Sequence, residues 1–168
     1  AILFYLTIYL FMNLGAFFVV ILVSNRLGGE MIENYRNLIS RAPLLAVSMA
    51  LFLFSLTGLP PLAGFSGKWL LFTAALEGGL YWLVVVAALN SAVSLYYYIR
   101  VVRAMFFEKS DEETPLTFTF GNQLLLLFFA VPTVLLFVFW EPSYQVIETV
   151  IKGFTPDPVS KITATISQ

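Results

Sequence analysis

Apolar positions fill four long runs of this chain, and the polar positions fall between them. Residues 1–25 carry no charge, and a helix of that length, rising about 1.5 Å per residue, crosses a ~30 Å hydrocarbon core. A polar loop follows over 26–41, with Gly28, Gly29, Glu30, Glu33 and Arg36. The second run, 42–77, opens on Pro43, which suits a first helical turn where no N–H is needed, and it is interrupted at 58–67. A third run covers 80–104, a charged loop 105–115, and a fourth run 116–140. Pro132 lies inside that last run and reads as a packed kink, because neighbouring groups can satisfy the freed carbonyl. Beyond it Val146, Ile147, Val150, Ile151 and Phe154 recur at helical spacing, which predicts an amphipathic interfacial helix over 142–154. Residues 155–168 read as a poorly ordered tail. The pattern is that of an all-α, polytopic membrane helix bundle of about four transmembrane helices, the second discontinuous.

Composition narrows the classes. The chain has 168 residues, 60% of them hydrophobic and 11% charged, the balance of a membrane protein whose main surroundings are a lipid bilayer. A net charge of -1 offers no basic field for nucleic acid. Cysteine and histidine are both absent, so thiolate-held iron–sulfur clusters, histidine-held haem and ordinary zinc sites are excluded within this chain. Ala1 opens inside an apolar run without a charged leader, so the sequence reads as the C-terminal piece of something longer.

Charge also decides the topology of the second run. If 42–77 is one broken span, Arg26, Arg36, Arg41, Arg100, Arg103 and Lys109 share one side, which the positive-inside rule makes cytoplasmic. Two crossings would scatter them. The half after the break is also too short to cross ~30 Å as a helix. The loops 26–41 and 105–115 are therefore expected on the cytoplasmic side, and Tyr96, Tyr97, Tyr98, Arg100 and Arg103 as an interfacial anchor.

The break itself, G-L-P-P-L-A-G-F-S-G-K from Gly58 to Lys68, is the candidate site. Pro60 and Pro61 remove backbone donors, while Gly58, Gly64 and Gly67 are read as points where the backbone bends and packs closely. Lys68 is the only charge between Arg41 and Glu77, and an ionisable group inside a span is a functional-site hypothesis by default. An interrupted helix frees carbonyls, here near Leu56 and Thr57, that can hold water or ions at mid-membrane depth. Lys68 could then exchange protons between two water wires. The competing readings are a structural pair with an acid on a helix outside this chain, or a side chain that snorkels to the interface; Glu77 reads as a boundary residue.

Two polar faces could hydrate such a path. Tyr5, Tyr9 and Asn13 recur at i, i+4 and i+8, and Asn90, Ser94 and Tyr97 or Tyr98 follow the same spacing on the third span. Packing through Gly15, Ala16 and hydrogen bonds between helices is the plainer reading of the first face.

Three strings carry a resemblance. S-L-T-G-L-P-P-L-A-G-F-S-G-K-W from Ser55 to Trp69, L-N-S-A-V-S-L-Y-Y-Y-I-R-V-V from Leu89 to Val102 and M-N-L-G-A-F from Met12 to Phe17 resemble subunit 2, the N subunit, of respiratory complex I. That resemblance implies an antiporter-like inverted-repeat fold, about three times this length, of which the chain would hold roughly the last four spans. It implies a proton-translocating subunit of NADH:quinone oxidoreductase in which Lys68 relays protons, driven by electron transfer in other subunits. By the same resemblance NADH, FMN, iron–sulfur clusters and quinone belong to partner subunits, with no cofactor in this chain and no activity expected from it alone. Its partners would be the antiporter-like and small membrane subunits of the membrane arm. The expected location is the bacterial inner membrane, the alternatives being the mitochondrial inner membrane or a thylakoid. A cation/proton antiporter subunit and a structural assembly subunit remain the alternative functions.

Overall fold

The computed structural model describes residues 1–110 and 114–139, together with residues 141, 145, 146 and 149. Six α-helices and one 3-10 turn make up the described residues: α1 Ile2–Leu27, the 3-10 turn Ile32–Tyr35, α2 Leu38–Arg41, α3 Pro43–Thr57, α4 Ala63–Glu77, α5 Tyr81–Phe107 and α6 Phe120–Val138. α1, α5 and α6 are each long and apolar enough to cross a membrane. The expected tail 155–168, and most of the helix expected over 142–154, lie outside the described residues.

α3 and α4 are stacked end to end along α1. The C-terminal half of α1, with Ala16, Val19, Leu22 and Val23, shares one core with Leu45, Ala46, Met49, Phe52 and Leu53 of α3. The N-terminal half, with Phe4, Ile8 and Met12, forms a second core with Ala63 and Leu70 of α4. α6 repeats the division, Leu126 and Ala130 joining the first core and Leu136 and Phe137 the second. One long helix therefore meets two short ones in succession. Small residues allow the close approach that helices in lipid need, since there is little hydrophobic drive between them. Gly15 is one case: a β-carbon there would overlap the ring of Phe52.

The end of the bundle that carries the loops is tied down by polar contacts. Arg36 Nε donates to Glu108 Oε2 at 3.0 Å, and Arg103 approaches the other oxygen of Glu108 at 3.8 Å. Arg41 is buried, its Nε donating to Thr114 O, while its own carbonyl accepts from Leu116 N. Arg26 lies over the ring of Phe118 at 5.7 Å. The segment 26–41 is thus more than a solvated connector. Tyr35, Leu38 and Ala42 join the core beside Met105 of α5, so apolar residues inside a polar stretch order it.

Tyr35 lies in that segment, outside the spans, and burial, with the nearby charge of Glu30 adding to it, pushes its phenol up to about 12. A raised phenol favours the neutral form in the fold. Its contribution to stability is fully present below pH ~10 and is lost as pH rises through about 12. Subtracting the tyrosinate titration of a Tyr35→Phe variant from that of the parent protein should leave a step near pH 12. A step near pH ~10 would show the phenol to be solvated.

Candidate functional site

Gly58 ends α3 in the left-handed conformation, φ +91°, the usual way a glycine closes a helix. Its N–H donates to the carbonyls of Phe54 and Ser55, and Leu59 N–H donates to Phe54 O at 3.1 Å. Pro60 and Pro61 follow, joined by a cis bond, and α4 begins at Ala63. The break is therefore 58–62, shorter than the 58–67 read from the sequence.

Gly64 and Gly67 lie inside α4, and their smallness serves contact rather than bending. A β-carbon on Gly64 would overlap the backbone carbonyl of Ser55 in α3. One on Gly67 would stand 3.0 Å from the Tyr5 ring and 3.4 Å from Ile8 Cδ1. The first glycine sets α4 against the end of α3, and the second sets it against α1. The N-cap residue of α4, Leu62, has no side-chain cap. Ser55 supplies one from the other half-helix, its Oγ accepting from Gly64 N–H at 3.0 Å.

Lys68 reaches back across this joint. Its Nζ donates to Thr57 O at 2.9 Å and to Ser91 Oγ of α5 at 2.9 Å. Thr57 is the last residue of α3, so the ammonium sits at a helix C-terminus, where unpaired carbonyls and the macrodipole favour a cation. Gly58 and Leu59 already satisfy Phe54 and Ser55; Lys68 takes the Thr57 carbonyl, which their capping leaves open.

A cavity of about 480 Å³ adjoins the lysine. Tyr5 and Tyr9 of α1 line it together with Asn90, Ser91, Ser94, Tyr97 and Tyr98 of α5, so every residue singled out on the two polar faces except Asn13 shares one cavity with Lys68. Asn13 does not. It lines a neighbouring cavity of about 250 Å³, and its amide donates to Tyr9 O within α1 at 3.2 Å. Leu56, Tyr97 and Tyr98 border both cavities, and the two tyrosine rings meet edge to face at 4.6 Å.

Ser55 and Ser91 escaped the reading of the sequence. Each is a small hydroxyl in a largely apolar helix, and Ser91 sits one position from the face assigned through Asn90 and Ser94. Its hydrogen bond to Ala87 O, four residues back, is the ordinary way a serine hides in a helix. Among the described residues no cluster of three or more carboxylates could hold a metal ion.

Residues 1–94 match the family model described as NADH:quinone oxidoreductase/Mrp antiporter, transmembrane region. The chain is 46% identical over 159 residues to NADH-quinone oxidoreductase subunit N of Anaeromyxobacter sp. (strain Fw109-5), covering 89% of this chain and 31% of that protein. It is 50% identical over 151 residues to subunit N 2 of Sorangium cellulosum (strain So ce56), covering 86% and 29%. A chain of respiratory complex I from Thermus thermophilus, solved with bound aureothin, superposes with a TM-score of 0.64 at 31% identity, over 79% of this chain and 31% of that one. The chain thus spans about a third of the length of these relatives. Two half-helices stacked along α1, a half-buried lysine at the break and a family match over the same residues agree: the chain belongs to the NADH:quinone oxidoreductase/Mrp antiporter transmembrane family.

Proposed function

We propose that this chain is the C-terminal third of an N-type subunit in the membrane arm of a proton-translocating NADH:quinone oxidoreductase, and that Lys68 relays protons there. The observation that carries the reading is the position of the lysine amine. It sits between two half-helices, on the free carbonyl of one of them, and beside a cavity lined by hydroxyls and an amide. Such a group can hold a proton without a fixed counter-ion and pass it to water entering the cavity.

In this reading Tyr5, Tyr9, Asn90 and Ser94 hydrate the lysine cavity, and Asn13 lines its continuation toward the loop end. The arginine-bearing loop end faces the cytoplasm of a bacterium, with the bundle in its inner membrane. NADH, FMN, iron–sulfur clusters and quinone are bound by partner subunits, and antiporter-like and small membrane subunits flank this one. The relatives' names favour this over a cation/proton antiporter, which the same family also includes.

Purifying the full-length subunit in mild detergent tests the assignment. Flavin and iron–sulfur subunits should come with it, and inverted vesicles should take up protons on NADH addition in sodium-free buffer. Purification with other antiporter subunits alone, together with sodium/proton exchange that ignores NADH, would overturn it.

A further inference from the structure

Lys68 has two fixed partners, and they differ in kind. Thr57 O is a backbone carbonyl at the end of α3, whereas Ser91 Oγ belongs to a side chain on a different span. The Ser91 hydroxyl has one proton, and it is directed at Ala87 O, 3.0 Å away. With its proton engaged there, Oγ faces Lys68 only as an acceptor. An ammonium has three N–H donors in a tetrahedral array. Two are held by Thr57 and Ser91, and the third is left for the cavity that Tyr5, Tyr9 and Asn90 line.

We propose that Ser91 is a positioning residue for proton transfer: it holds the Lys68 ammonium at the joint between α3 and α4 and turns the third N–H into the cavity. The inference rests on the reading of Lys68 as the relay. In the transfer the third N–H bond breaks, its electron pair stays on nitrogen as the amine lone pair, and the proton bonds to the oxygen of a water in the cavity. A proton arriving on another water rebuilds the ammonium. Ser91 keeps its own proton throughout. Without it the long, flexible side chain keeps one anchor, and its free N–H groups no longer have a set direction.

Threonine and valine separate this role from packing, because they share a shape and differ in the hydroxyl. In the intact complex, Ser91→Val and Ser91→Ala should each lower NADH-driven proton uptake into inverted vesicles, per assembled complex, by about tenfold, the scale expected for losing a hydrogen bond to a charged group. Ser91→Thr should stay within about twofold of the parent. Should Ser91→Val fail to assemble, Ser91→Ala against Ser91→Thr carries the same comparison. If the hydroxyl-free variants pump as Ser91→Thr does while Lys68→Ala is defective, the positioning role is overturned and the relay reading stands. If Lys68→Ala itself pumps normally, the relay reading fails, and the role of Ser91 fails with it.

Discussion

Replacing Lys68 with alanine in the intact complex should leave the assembled enzyme present but cut NADH-driven proton uptake by about a hundredfold, the low end of what a positioned proton-transfer group contributes. The variant removes the only charge between Arg41 and Glu77 and, with it, the donor to Thr57 O and Ser91 Oγ. Those acceptors can turn to water in the adjoining cavity, so the fold should survive. Lys68→Arg sharpens the test. A guanidinium restores a cation and hydrogen-bond donors at the joint, yet it does not give up its proton in proteins. Pumping should stay low in Lys68→Arg even where its assembly matches the parent. Normal proton uptake in either variant, measured per assembled complex in inverted vesicles, would remove the relay from the account.

The largest effect on assembly is expected at Gly64. Any side chain there meets the backbone carbonyl of Ser55, which no rotamer change can move. α4 must then shift away from the end of α3, breaking the bond from Gly64 N–H to Ser55 Oγ and opening the core around Ala63. Overpacking of this kind costs about 1–3 kcal/mol, and more where backbone is the obstacle. Gly64→Ala should therefore sharply reduce the amount of complex in membranes. Gly67→Ala should reduce it much less, because its nearest neighbour, at 3.0 Å, is the edge of the Tyr5 ring, which can give. Equal amounts of complex from the two variants would mean that the contact between the half-helices does not organise the span.

Much of this architecture is legible in the sequence because lipid imposes simple demands. Long uncharged runs become spans, and the residues of α1, α5 and α6 show it. Pro60 and Pro61 announce a break in the same way, and Lys68 announces itself by being alone. What could not be read locally is what packs against what. Gly64 and Gly67 look like bends until Ser55 O and the Tyr5 ring are seen beside them. Asn90 stood out over Ser91 because an amide is rarer in an apolar helix than a hydroxyl. Yet one residue turns a side chain about 100° round the axis, and that turn decides which of the two meets the lysine. The clasp between Arg36 and Glu108 joins residues 72 positions apart, a distance over which neither local pattern nor loop composition carries information.

The joint between α3 and α4 has a thermodynamic corollary. The two half-helices lie mainly in different cores, Leu56 of α3 packing against both, and the amine of Lys68 ties α4 to the end of α3. A proton on that nitrogen and the distance across the joint are then two variables of a single equilibrium. Whatever strain draws Thr57 O away from the amine must change how firmly the amine holds its proton, and by reciprocity the proton's departure must soften the joint by the same free energy. Under the proposed relay by Lys68, mechanical work and proton affinity are exchanged at one atom.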